Sequence, residues 1–360
     1  MTNRQADIEA GAQNLLKNCA GTTAGDRLLV IHEPPALDYY DQGMVDMVAE
    51  CGRSMGAEVR VLEAPFDPDA SRLPDDLAVE MKTADQTVFL ARIGDQIRFS
   101  DIGRHHQVVV SYALSRALLG CRFGTADYGS FAALKDAIDA MLAKSSAIDV
   151  TCPSGTRFSG SVPADHASSE DVSIRRFPML VFTPVPADDF SGTAAMPGFL
   201  VGTGSKYYEP LLKSFDGQLL AHFQNGRITG FEGSAEDVRR AEDHYRFVAE
   251  RYGIDSGFVH SWHAGMHPGC HYDKRLEDDP GRWSGSAFGN PRILHFHTCG
   301  AYAPGEISWN IIDPTVSVDG VKVWENGTLF PERIPGGRAI LDADPSIRAA
   351  FEHPSREIGL

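Results

Sequence analysis

The 360-residue sequence has no apolar run long enough to cross a bilayer, which excludes a transmembrane helix. Its start lacks a basic segment followed by an apolar one, so no secretion signal is expected and a cytoplasmic location is the default. Six cysteines (Cys19, Cys51, Cys121, Cys152, Cys270 and Cys299) are widely spaced without a CxxC pair. That spacing, together with the missing signal, favours free thiols in a reducing compartment over a disulfide framework. Basic residues are outnumbered, giving a net charge of -16, which argues against nucleic acid or an anionic membrane as partner. No GxGxxG or Walker pattern surrounds Gly202-Thr203-Gly204-Ser205, so those residues read as a plain β-turn. Ser111, Ser154 and Ser191 lack the GxSxG context of a nucleophile elbow, and a serine hydrolase has no support. There is no internal repeat or low-complexity tract.

What is present is the composition of a globular protein, 42% hydrophobic and 23% charged. Over the first 150 residues, helical and strand-like segments alternate. Residues 7–19 read as an amphipathic helix, 28–31 as a buried strand, 44–55 as a helix and 58–62 as the next strand. Strands at 87–90 and 108–110 follow, then a helix over 131–143. Such alternation implies parallel pairing, hence a doubly wound α/β domain over 1–150. His32 closes the first strand, where folds of this class place ligands.

Residues 151–360 predict a β-rich (α+β) domain. Asn225-Gly226, Asp319-Gly320 and Asn326-Gly327 each separate β-type runs, the pattern of a two-residue hairpin. One helix interrupts them, with Ser234 as N-cap and Val238, Ala241, Tyr245 and Val248 on one face.

The chemistry concentrates in this second half. Six of the thirteen histidines, His260, His263, His267, His271, His295 and His297, lie within 38 positions. The first four occupy VHSWHAGMHPGCHY, read as a loop or broken strand. In ILHFHTCGAY the alternation puts His295 and His297 on one face of a strand and Leu294 and Phe296 on the other. Neutral imidazole is the commonest metal ligand near neutral pH. At least two of the six are therefore expected to bind a metal, and Tyr302 and Glu306, a few residues on, could add oxygen ligands or acid–base function. Trp262 and Trp309 are candidate walls for a substrate. His105-His106 reads as surface.

The segments GAQNLLKNCAGTTAGDRLLVIHEP, IDVTCPSGTRFSG and NGRITGFEG resemble the M29 metallopeptidases (aminopeptidase T-like), a superfamily that also includes 2,5-dihydroxypyridine 5,6-dioxygenases. The resemblance spans most of the chain. It implies an α/β domain followed by a β-rich one carrying the metal site, and a homo-oligomer. A ligand histidine followed seven residues later by a tyrosine matches His295 and Tyr302. A second ligand position, upstream of Gly265-Met266-His267-Pro268, falls on Ser261, flanked by His260 and His263, either of which could take over the role. With this resemblance the expected ligands are His260, His295, His297 and Glu306, and the expected acid–base residues His263, His267 and Tyr302. The family's His-x-Asp motif is replaced, with Glu306 and Ser308 in its slots or, in a register two residues on, Ser308 and Asn310, and the bridging glutamate is not recognisable.

Two metal ions held close together need carboxylates to offset their charge, and this chain has exchanged most of them for imidazoles. The expectation is therefore a single divalent ion, Fe2+ or Zn2+. The enzyme would act on a small, aromatic or heterocyclic metabolite by ring cleavage or hydrolysis. The competing readings are an M29-type aminopeptidase and a metal-free enzyme or binding protein that has lost the site.

Overall fold

The apolar runs of the first half become strands β1 (Arg27–His32), β2 (Glu58–Glu63), β3 (Gln86–Leu90) and β4 (Gln107–Ser111). They pair in parallel in the order β2-β1-β3-β4, and β7 (Arg175–Phe177) adds to β4 at the edge. The computed structural model describes residues 3–98, 100–102, 106–162, 173–203, 208–300 and 305–360. The helix expected over 7–19 begins at Asn3 and widens over Asn14–Cys19 into a π-helix. There the buried Asn14 side chain donates to the Gly124 and Ala126 carbonyls.

Two compact units result. One comprises Met1–Ala132, Val172–Leu180 and Asp344–Pro354, and the other Ala133–Asp171, Val181–Ala343 and Ser355–Leu360. The units are thus not the two continuous stretches 1–150 and 151–360. The hydrogen bonds of β4 recruit β7 from far along the chain, and the C-terminal helix Pro345–Glu352 packs Phe351 on Phe131.

In the first unit the strand order reverses between β1 and β3, and an open sheet of this kind offers a crevice at the carboxyl ends of those strands. Here they are followed by Glu33 and Arg92, which form a buried two-pronged ion pair, 2.7 Å at its Oε2–Nη2 contact. The guanidinium also lies over the Phe66 ring at 3.5 Å and the Tyr39 ring at 4.4 Å. His32, read from sequence as a ligand position, holds its Nδ1 2.8 Å from the Glu33 carbonyl.

The second unit contains two antiparallel sheets. One has the order β11-β10-β16-β15-β14-β8. Its strands are β8 (Val185–Pro186), β10 (Phe199–Gly202), β11 (Leu212–Ser214), β14 (Val259–Ala264), β15 (Ile293–Thr298) and β16 (Ile307–Ile312). The other has the order β13-β12-β9-β6-β5-β17-β18-β19. It is built from β5 (Ile148–Thr151), β6 (Arg157–Gly160), β9 (Ser191–Met196), β12 (Leu219–Gln224) and β13 (Arg227–Glu232). β17 (Thr315–Val318), β18 (Val321–Glu325) and β19 (Thr328–Leu329) complete it. The three hairpins are where the sequence placed them. Both turn residues of each have positive φ, as a type I′ turn requires, for example Asn225 at 48° and Gly226 at 68°. Ser234 caps the helix Ala235–Tyr252 by accepting from the Asp237 amide.

An aromatic core lies between these sheets. Phe158 of β6 meets Phe296 at 5.0 Å, Phe223 at 5.7 Å and Trp262 at 5.8 Å between ring centres. Aromatic pairs at such distances add about 0.5–1.5 kcal/mol each beyond the area they bury. This core uses one face of β14, β15 and β16, and by the period-2 alternation of a strand it forces their other residues onto the opposite face.

Candidate metal centre

That opposite face is polar and buried. In the register of the sheet His263 lies directly across from His295, and His297 across from Ser261. On the other side of β15, Asn310 faces His295 and Ser308 faces His297. Ser261, His263, His295, Ser308 and Asn310 are all buried although every one is polar. So dense a polar patch under cover requires partners for its donors and acceptors.

The three imidazoles converge. Directly opposed side chains on antiparallel strands have Cβ atoms about 5 Å apart, which sets the scale. His263 and His295 have ring centres 4.1 Å apart, His295 and His297 5.0 Å, and His263 and His297 5.1 Å. The Nε2 atoms of His263 and His297 are 3.0 Å apart. One ligand nitrogen from each of the three lies within 4.8 Å of the others. Nitrogens on a tetrahedral ion at zinc–nitrogen bond lengths are about 3.3 Å from one another; the His263–His297 pair is close to that spacing, and the His295 nitrogen lies within 4.8 Å of both.

Glu306 stands behind His297, its Oε1 3.3 Å from Nδ1. Its other oxygen accepts from the Thr203 hydroxyl, and its main-chain carbonyl accepts from the Tyr208 hydroxyl at 3.0 Å. Glu306 thus approaches the nitrogen of His297 that points away from His263.

His260 is not in the convergent group. The register slips between Val259 and Ser261, leaving His260 as the extra residue of a β-bulge. Its Nδ1 contacts the Ser261 hydroxyl at 2.8 Å. Burial, followed by the proximity of His297, lowers its pKa to about 4, against an upward pull from Glu306 and Asp188. His263, read from sequence both as an acid–base residue and as one of two histidines able to take the second ligand position, stands among the three.

His267 is fully buried outside the cluster. Its Nδ1 accepts from the Gly269 amide at 3.2 Å, and burial pushes its pKa down to about 3. His271 holds its Nδ1 3.1 Å from the Gly269 carbonyl. Tyr302 and His105 lie outside the described residues, as do Gly204 and Ser205.

Trp262 and Trp309 do not wall the site. They alternate with Ser261, His263, Ser308 and Asn310, so both point into the aromatic core, where Trp309 Nε1 donates to the Tyr245 hydroxyl. The rings beside the cluster are Phe182, 6.2 Å from His263, and the half-buried Phe288, 5.3 Å from His295. Ser308 and Asn310, which the resemblance put in the slots of the lost His-x-Asp motif, stand on this face beside the histidines, and Thr203, read from sequence only as part of a β-turn, meets Glu306. A cavity of about 570 Å³ bounded by Ser154, Phe199, Asp216, Gln218, Glu277 and Leu360 involves none of these histidines.

The architecture is that of a mixed α/β protein whose antiparallel sheet presents a histidine cluster. Among solved structures it is similar to 2,5-dihydroxypyridine dioxygenase from Pseudomonas putida KT2440. The TM-score is 0.62 at 15% identity, covering 92% of this chain and 98% of that one. The chain therefore shares its fold with that dioxygenase, one of the proteins to which the sequence resemblance pointed. A second similar structure is wild-type AmpT from Thermus thermophilus, with a TM-score of 0.49 at 12% identity, covering 90% and 99% of the two chains. No protein-family model matches the sequence, and no curated protein matches it. No described helix is long and apolar enough to cross a membrane.

Proposed function

We propose that the chain is a metal-dependent enzyme in which His263, His295 and His297 hold one divalent ion. It would act on a small aromatic or heterocyclic metabolite by ring cleavage. The observation that carries this reading is the convergence of three imidazole nitrogens, within 4.8 Å of one another, on a buried sheet face. The donor set fits Fe2+ or Zn2+, both of which accept imidazole readily. Such an ion supplies Lewis acidity and open coordination positions, which suit ring cleavage with dioxygen for iron and hydrolysis for zinc.

The surrounding residues constrain the substrate. Three neutral imidazoles leave the ion's charge uncompensated, and Glu306 is the acidic side chain set against the cluster. An anionic substrate, a phenolate or ring carboxylate, is therefore favoured over a neutral one. Asn310 and Ser308 can orient its polar substituents, and Phe182 and Phe288 present apolar rings beside it. Two-ion aminopeptidase chemistry is the weaker reading, because it needs carboxylates where this face presents imidazoles. We further infer a cytoplasmic homo-oligomer with a small-molecule substrate and neither nucleic acid nor membrane as partner.

The test is metal analysis of protein purified without chelators. Oxygen uptake after anaerobic loading with Fe2+ then follows, using dihydroxylated pyridines and benzenes with 2,5-dihydroxypyridine as the first compound. Stoichiometric metal and substrate-dependent uptake support the proposal. Substoichiometric metal with no response to added Fe2+ or Zn2+ sinks it. Amino-acid release from short peptides with added Zn2+ or Co2+, without oxygen uptake, would transfer the assignment to the aminopeptidase reading.

A further inference from the structure

Glu306 was expected from sequence to be a metal ligand, and its surroundings assign it another task. We infer that Glu306 is a positioning residue that acts through His297, fixing its tautomer and ring orientation so that Nε2 faces the other imidazoles. The inference rests on the metal-site reading above and concerns only how the chain prepares that site.

Three observations carry it. First, the two nitrogens of His297 face different groups: Nε2 lies 3.0 Å from Nε2 of His263, and Nδ1 lies 3.3 Å from Oε1 of Glu306. A carboxylate set behind a ligating imidazole in this way accepts its second N–H and makes the first nitrogen the lone-pair donor. Second, Glu306 is itself held. The Thr203 hydroxyl donates to Oε2, and the Tyr208 hydroxyl donates to the Glu306 main-chain carbonyl at 3.0 Å. Tyr208 is almost fully buried, so that anchor belongs to the interior of the unit. Third, Glu306 is itself 5% exposed. A buried carboxylate is retained where it faces donors or positive charge, and here the Thr203 hydroxyl donates to one oxygen while Nδ1 of His297 stands 3.3 Å from the other.

The 3.3 Å contact is slightly beyond the usual range of an N–H···O bond, about 2.7–3.2 Å. Contacts of this kind are often loose before the site is filled and tighten when it is.

The geometry also orders the protons. If His297 gives its Nδ1–H to Glu306, its Nε2 is an acceptor, and His263 supplies the single proton between the two Nε2 atoms. The cluster is then a chain of Glu306, His297 and His263 with one direction of donation.

The experiment uses the full chain and two variants, E306Q and T203V, with H263A as control. In metal-free wild-type protein, nitrogen-15 NMR of the histidine rings should show His297 protonated at Nδ1 and bare at Nε2. Zn2+ affinity, measured by competition with a chromophoric chelator, should fall about 10–100-fold in E306Q and less in T203V. The visible spectrum of the Co2+-loaded protein should keep its band positions in E306Q at saturating metal, because the ligands are unchanged.

Three results would overturn the inference: His297 bare at Nδ1, unchanged affinity in E306Q, or shifted Co2+ bands in E306Q, which would make Glu306 a ligand. If H263A binds Zn2+ as wild type does, the metal-site reading itself fails. The tautomer remains a separate test of the contact, since it is read without metal.

Discussion

Lowering the pH from 7 to 5 should cost the protein about 2 kcal/mol of stability through His267 alone. This side chain has no exposed surface, and burial holds its pKa near 3, against about 6.5 in an unfolded chain. Between those values the unfolded state binds a proton that the folded state refuses, so stability rises with pH across the window and is lost as pH falls. At pH 7 the unfolded histidine is mostly neutral and the contribution is about 0.2 kcal/mol; at pH 5 it is about 2 kcal/mol. Any native value below about 4 gives nearly the same figure, because at pH 5 the native ring is neutral in either case. His244 and His260, each lowered to about 4 by burial first of all, add similar slopes, so the wild-type curve alone does not isolate His267. The variant His267→Asn does. Its amide oxygen can replace Nδ1 as acceptor for the Gly269 amide, and it cannot titrate. Loss of ring volume lowers its stability equally at every pH, whereas the pH-dependent part should shrink by about 2 kcal/mol. Urea unfolding of both proteins at the two pH values measures the difference. Equal losses in wild type and variant would refute the argument and return His267 to the list of residues able to exchange protons near neutrality.

Glu33→Ala removes one half of a buried ion pair and leaves the Arg92 guanidinium without its carboxylate. The expected cost is about 3–5 kcal/mol in chemical denaturation, and replacing both residues with apolar ones should recover much of it. A loss below about 1 kcal/mol would mean that the pair is solvated like a surface salt bridge. Phe288→Ala takes away the half-buried ring beside His295. On the proposed function it should raise KM for an aromatic substrate about tenfold, with metal content unchanged, since one apolar contact is worth about 1–3 kcal/mol. Steady-state kinetics with metal analysis of the same preparation checks this, and an unaltered KM removes Phe288 from the substrate site.

The sequence reading succeeded where a local rule decides the outcome. Period-2 alternation placed His295 and His297 together on one face of β15, and the Asn-Gly and Asp-Gly pairs marked three hairpins. The Ser234 cap and the apolar runs of the first unit were legible for the same reason: each depends on neighbours a few residues away. It failed where a relation between distant segments decides. Nothing local indicates that Glu33 and Arg92 fill the crevice between β1 and β3, or that Thr203 meets Glu306 across 103 positions.

The choice among His260, Ser261 and His263 is the sharpest instance. Shifting a strand by one residue moves every side chain to the other face, so a single extra residue determines which histidine joins the cluster. The bulge at His260 is that residue. It lets Val259 pair on the core face with Thr298 while Ser261 and His263 pair on the polar face with His297 and His295. The same register sends Trp262 into the aromatic core, where its neighbours Phe158 and Phe190 hold the strand in place. The identity of the third imidazole is thus set by packing on the opposite face of the sheet. That makes the aromatic core part of the histidine cluster's specification: loosening Trp262 would release the register that keeps His263 across from His295.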